Sequence, residues 1–230
     1  MGRTVLSALF AAVVCIFPVA AQEAKPEGPA SNSLDELVSA VVRIKTFINP
    51  DGRTVDNLGR ERDGSAILID NDGLVLTIGY LMVEAHAAEL TTNAGRKVPA
   101  DVVGYDHETG FGLLRAVEPL RLRPLAFGKS AALKHGDPVL VASHGGSGMV
   151  APAYVVAKRE FAGNWEYLLD EAIFTAPAHP AWGGAGLIGA DGKLIGVGSL
   201  LLQQVTGRGE VQDINMSVPI DLLKPIFDDL

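Results

Sequence analysis

The chain has 230 residues, 48% of them hydrophobic and 20% charged, which is too apolar for a disordered chain and enough for a packed core. Its 26 glycines and 13 prolines against 6% aromatics favour many short strands over a helical bundle, and exclude a collagen-like chain. A formal net charge of −8 argues against a sequence-independent nucleic-acid binder and against a polybasic membrane anchor.

Arg3 precedes the apolar run Val5 to Val19, and the small residues Ala20 and Ala21 precede a polar stretch. This is the pattern of a secretory signal peptide over residues 1–21, cleaved after Ala21, and it implies an exported protein, periplasmic or secreted. An apolar length of about 15 residues, broken by Pro18, is short for a membrane-spanning helix, so no anchor is expected after cleavage. Val14 before Cys15 argues against lipid attachment there, and Cys15 is the chain's one cysteine. The mature chain therefore has no thiol for a disulfide, a catalytic cysteine or a thiolate metal site.

Residues 22–32, with Pro26, Gly28 and Pro29, read as a flexible linker. Ser33 with Glu36 forms a capping box for a short helix, which passes into β-branched Val41, Val42 and Ile44. Strand-sized runs then follow at 64–69, 74–78, 88–92, 98–104 and 111–117, separated by turns such as Asp70-Asn71-Asp72-Gly73. After Pro119 and Pro124 a second series occupies 138–142, 153–158, 167–175, 187–188, 194–200 and 214–218. Leu222, Leu223, Ile226 and Phe227 then show helical spacing. The reading is an all-β protein with a short helix at each end and two β units, residues 33–125 and 126–230.

Several segments together resemble the trypsin-like protease domain of the Deg/HtrA family. They are Gly64 to Thr77, Gly95 to Asp106, Pro124 to Ser130, Gly136 to Val139 and Met216 to Pro219, in the family's order and spacing from about Leu37 onward. The resemblance implies two six-stranded antiparallel barrels with a cleft between them, and no PDZ domain follows within this chain.

The same resemblance implies that the family's triad is substituted. Tyr80 stands where the histidine belongs, after Leu76-Thr77, and Gly110 stands where the aspartate opens its strand. Gly183 replaces the serine in His179-Pro180-Ala181-Trp182-Gly183-Gly184-Ala185-Gly186-Leu187. A phenol with a pKa of about 10 is a poor general base at neutral pH. No Ser, Thr or Cys occurs from Ala176 to Gly192, so a shift of the alignment finds no nucleophile. Asp106 and Glu108 lie near the aspartate position but have no histidine at 80 to orient. The main chain of Ala181 and Gly183 is expected to keep the shape of an oxyanion hole.

Other chemistry finds little support. Ser143, His144 and Ser147 cluster near Asp137, but neighbours on an extended strand point to opposite faces, and the stretch reads as a polar Gly-rich turn. The five histidines, His86, His107, His135, His144 and His179, lack metal-ligand spacing, and Asp70 to Gly73 lacks the later ligands of a calcium loop. No phosphate loop or dinucleotide fingerprint occurs, so no cofactor or metal is expected.

The resemblance thus implies a pseudoprotease, and by the family's way of holding extended substrates it is expected to bind an extended peptide or unfolded protein through the main chain of Val197, Gly198 and Ser199, with Trp182 and Tyr80 as apolar walls. Three alternatives stay open: rings that fill the cleft, a hydrolase with relocated residues, and a regulatory partner of an active protease. Loss of chemistry requires that no hydroxyl come within bonding reach of an imidazole across the interbarrel groove.

Overall fold

The computed structural model describes Gly2 and residues 33–163, 167–207 and 209–228. The signal-peptide and linker readings at 1–32 lie outside the described residues, apart from Gly2.

Helix α1 (Leu34–Ser39) starts at Ser33, whose side chain accepts the Glu36 N–H at 3.2 Å. Glu36 does not complete the capping box; its carboxylate pairs with Arg123 at 3.2 Å. Strands β1 (Val41–Ile48), β2 (Glu61–Leu68), β3 (Leu74–Ile78), β4 (Ala85–Thr91), β5 (Lys97–Tyr105) and β6 (Phe111–Ala116) close a barrel in the order β1-β2-β3-β6-β5-β4. Strands β7 (Pro138–Ala142), β8 (Val150–Ala162), β9 (Leu168–Ala176), β10 (Gly186–Gly189), β11 (Leu194–Val205) and β12 (Val211–Pro219) close a second barrel, β10-β11-β12-β9-β8-β7. A short 3₁₀ turn, Ile220–Leu222, leads into a final helix, Leu223–Asp228. The two antiparallel barrels and both terminal helices match the expected fold.

Local chemistry explains the tight corners. Asp70 accepts the N–H groups of Asp72 and Leu74 at 2.9 and 2.7 Å, and Gly73 takes φ +86°, so the acidic stretch between β2 and β3 is an Asx-type hairpin turn. The strands are longer than their apolar runs. β8 extends past Lys158 to Ala162 because Arg159, Phe161 and Ala162 pair with Ala172, Leu169 and Leu168 on β9, with a bulge at Glu160. β11 and β12 likewise run on to Val205 and Val211 as a hairpin arm. Helix α2 (Val55–Leu58) is absent from the sequence reading; with four residues and none buried, it shows no apolar periodicity to detect.

The barrels meet where β2 touches the segment before β10. Ser65 N–H donates to Gly183 O at 2.9 Å, and Ser65 O accepts the Thr77 hydroxyl at 2.7 Å. Gly184, at φ +72°, lies so close that a Cβ there would stand 1.9 Å from Ser65 O. Only glycine satisfies both the positive φ and the contact.

Gly184→Ala should therefore destabilise the protein by several kcal/mol, because strain of about 1 kcal/mol adds to a main-chain clash that nothing flexible can relieve. Gly95, also at positive φ but with open space around it, is the control. Gly95→Ala should cost only the strain, and urea unfolding of the two variants separates the terms.

Candidate functional site: the cleft between the barrels

After β3 the chain makes a 3₁₀ turn, Gly79–Leu81, that presents Tyr80 to the second barrel. Gly79 allows this turn: its N–H donates to Gly110 O at 2.7 Å, and a Cβ would lie 1.8 Å from the Tyr105 ring. A buried guanidinium holds the turn from behind. Arg62 donates to Tyr80 O at 2.6 Å, to Val83 O at 3.1 Å and to the Thr54 hydroxyl at 2.5 Å. Glu84 completes the clamp by accepting the Arg53 and Thr54 N–H groups at 2.9 and 2.8 Å. The hydrogen bonds from Thr54, then that from Arg53, hold the Glu84 carboxyl below its ordinary pKa. Burial lowers the pKa of Arg62, opposed by Glu84. The sequence reading missed both residues, because they support the cleft through loops that meet only in the fold.

Positions 80, 110 and 183 converge on one place. The Tyr80 hydroxyl donates to Ser199 O at 3.0 Å, and a Cβ on Gly183 would lie 2.9 Å from the Tyr80 hydroxyl oxygen. Tyr167 covers Gly110, at φ +79°, where a Cβ would meet its ring at 2.1 Å, and the Tyr167 hydroxyl bonds to the Ser199 hydroxyl. Two phenols from different elements thus meet at Ser199, which is fully buried on β11. Asp106 is used elsewhere: it accepts the Thr109 N–H at 2.9 Å and the Thr109 hydroxyl at 2.5 Å, capping its own turn.

Beside this cluster lies a cavity of about 380 Å³, walled by Asp63, Leu81, His144, Pro180 and Trp182. None of its lining residues comes from β11. A larger apolar groove, of about 860 Å³, lies against Phe127, Leu223 and Phe227, away from the cleft residues.

Two expected features need correction. Gly198 donates to Ala185 O at 2.7 Å and accepts from Gly184 at 2.9 Å, while Val197 is paired with Gly186 on one side and Val218 on the other. Neither main chain is open to a ligand, so of Val197, Gly198 and Ser199 only the Ser199 carbonyl faces Tyr80 and the cleft. The oxyanion-hole pair is also incomplete. Ala181 N–H donates to Nδ1 of His179 at 3.0 Å, which turns it away from a shared acceptor with Gly183.

A third finding overturns a requirement of the sequence reading. Ser65 Oγ lies 3.1 Å from Nδ1 of His144, 2.9 Å from Ser143 Oγ, and accepts the His144 N–H at 3.0 Å. A hydroxyl does meet an imidazole across the groove. With the imidazole neutral every group is satisfied: Ser65 donates to Nδ1 while Ser143 and the His144 N–H donate to Ser65. Ser65 itself has no exposed surface, and Ser143 has 1%. The second histidine, His179, is 4% exposed, donates its N–H to Asn215 Oδ1 at 2.6 Å, and ties the segment before β10 to β12.

Burial lowers the pKa of both histidines from 6.5; Arg43 adds to the effect at His144 and Asp63 opposes it, whereas main-chain bonds with Met149 and Ala181 oppose it at His179. The folded state therefore binds fewer protons than the unfolded state between the lowered values and about 6.5. Stability should rise with pH through that window, hold above it, and fall as the solution is acidified. Urea unfolding at pH 5 and 7.5 checks this, and His179→Gln should flatten the dependence. A side chain at 183 must also displace Tyr80. Gly183→Ser should destabilise by about 1–3 kcal/mol, and Tyr80→Ala in the same chain should return part of that loss, read as a double-mutant coupling.

The trypsin-like peptidase domain model matches residues 64–197, more than half of the chain. The serine protease PepD of Mycobacterium tuberculosis is 28% identical over 239 residues, covering 93% of this chain and 50% of its own length. The periplasmic pH-dependent serine endoprotease DegQ of Escherichia coli is 28% identical over 170 residues, covering 73% of this chain and 37% of its own. The solved HtrA-type protease AlgW with tripeptide superposes with a TM-score of 0.67 at 21% identity, covering 86% of this chain and 62% of that one. The chain thus spans about a third to a half of the length of these curated relatives. Matched in its barrels, in their order and across the segments that meet at the cleft, the chain belongs to the trypsin-like peptidase domains of the Deg/HtrA family.

Proposed function

We propose that this chain is a pseudoprotease, a Deg/HtrA domain without peptide-bond hydrolysis, whose role is to bind an extended segment of another protein at the interbarrel cleft. The observation that carries this reading is the pairing of Tyr80 with position 183. The residue that would accept a proton is a phenol already donating to Ser199 O, and the residue that would attack has no side chain. Gly110 under Tyr167 leaves no carboxylate there to orient a base. Loss of one member of such a unit costs about as much as loss of all, on the order of a million-fold in turnover. Binding needs none of these groups, and the cavity walled by Trp182 and Leu81 offers apolar surface for a side chain. The export signal at the N-terminus and the periplasmic relatives support a place outside the cytoplasm.

The Ser65–His144 contact favours one second reading, a hydrolase with a relocated pair. Its geometry is that of a nucleophile beside a base. Burial argues against it: the Ser65 oxygen is enclosed and already accepts the His144 N–H, so it offers no approach to a carbonyl.

Incubation of the pure protein with unfolded casein and with a fluorophosphonate probe separates the two. The expected result is intact casein and no labelled serine. Labelling of Ser65 or Ser143, abolished in Ser65→Ala, would establish the hydrolase instead.

A further inference from the structure

The larger apolar hollow lies between the chain that joins the two barrels and the final helix. Phe127, Lys129 and Ala132 form one wall, and Leu223, Lys224 and Phe227 the other. The walls are pinned together: Asp221 accepts the Ala131 N–H at 2.8 Å and donates its own N–H to Ser130 Oγ at 3.3 Å. A second hollow, of about 510 Å³, shares Phe127, Gly128, Lys129 and Ala132 with the first and runs on to Leu133 and Ile195. The two make one elongated trough. Its first part, of about 860 Å³, falls within the ~300–1,000 Å³ of small-molecule sites. Phe127 meets Phe227 edge to face at 6.2 Å and still keeps 42% of its surface exposed.

The main chain along this trough is already spent. Gly128 N–H donates to Leu194 O at 2.7 Å, Ala132 N–H to Lys129 O at 3.3 Å and Leu133 N–H to Ser130 O at 3.2 Å, while Ala131 O accepts from Lys158 Nζ at 3.3 Å. An extended polypeptide laid here would bury its own N–H and C=O groups without partners, a cost that an acyl chain does not incur. The carboxylates are engaged as well: Asp221 on Ala131, Asp137 on the Lys134 N–H at 2.8 Å, and Asp191 with Lys193 at 3.5 Å. What the trough presents to a ligand is apolar surface and the ammonium groups of two exposed residues, Lys129 and Lys224. That combination matches a long apolar tail carrying a single anionic head.

We infer that the trough between Phe127 and Phe227 is a second binding site, separate from the cleft, and that its ligand is a free fatty carboxylate. The acyl chain lies along Phe127, Ala132 and Leu223, and the carboxylate meets Lys129 and Lys224. Chain length sets the affinity through the apolar area covered, and the two lysines set the orientation.

Dansyl-labelled undecanoic acid, whose emission rises on leaving water, is the probe, with dodecanoate as competitor below its micelle concentration. Saturable binding that dodecanoate displaces is the expected result, and decanoate, two methylenes shorter, should compete about tenfold more weakly. Ala132→Trp places a ring in the trough from an exposed position and should abolish binding while circular dichroism stays that of the parent. Lys129→Glu combined with Lys224→Glu should weaken dodecanoate about tenfold and leave dodecanol unchanged. Unaltered binding in Ala132→Trp would overturn the trough as the site, and failure of dodecanoate to displace the probe would overturn the ligand. Equal weakening of dodecanol in the lysine variant would overturn the role of the two lysines. A wild-type dimer in sedimentation velocity that Ala132→Trp dissociates would make a second copy of the chain the occupant, and would likewise overturn the inference.

Discussion

The close approach of β2 to the segment before β10 is the contact on which the rest of the molecule depends. Ser65 spends its N–H on Gly183, its carbonyl on Thr77 and its hydroxyl on Ser143 and His144. Every polar group of a fully buried residue is thereby met, and leaving one unmet would cost about 1–3 kcal/mol. The two main chains come this near only because Gly64 and Gly184 have no Cβ: it would lie 2.8 Å from Gly183 O on Gly64 and 1.9 Å from Ser65 O on Gly184. At this seam the barrels meet main chain against main chain, so it tolerates little displacement.

That seam sets the dimensions of the cleft, and the cleft's chemistry follows. The Tyr80 hydroxyl lies where a side chain at position 183 would begin, and with Gly110 lacking a side chain, the Tyr167 ring packs onto it. Three of the chain's four tyrosines, Tyr80, Tyr105 and Tyr167, pack on glycines or face them around this one site. Aromatic rings have taken the volume, and the hydroxyls of Tyr80 and Tyr167 are spent on Ser199. Both His144 and His179 are held toward the neutral form by desolvation, and each bonds to another element, His144 through its ring to Ser65 and His179 through its main-chain N–H to Asn215. The arrangement suits a rigid receptor better than a proton-transfer site.

The hairpin arm of β11 and β12 is the counterpart of that rigidity. Inside the barrel β11 is buried and paired on both edges; beyond Gly198 it keeps one partner and gains exposure. The transition falls where Tyr80 contacts Ser199, so one strand carries both the closed wall of the barrel and the open edge beside the cleft.

Much of this was legible along the chain. Strand-sized apolar runs, separated by turns such as Asp70 to Gly73 and by prolines, marked all twelve strands and placed β3 and β7 at their observed ends, since those strands are short and largely buried. The order of the segments marked the family, and the absence of any hydroxyl or thiol from Ala176 to Gly192 is a property of composition that no folding can alter. What tertiary structure alone decided is which distant groups meet. Ser65 and His144 are 79 positions apart, and Tyr80 and Ser199 are 119 apart. Polar ribbons such as 159–162 become strands through a neighbour's ladder, not through their own apolar pattern. Periodicity reports only which face of an element is buried, whereas hydrogen bonds between elements depend on ångström distances that are set when the two barrels close against each other.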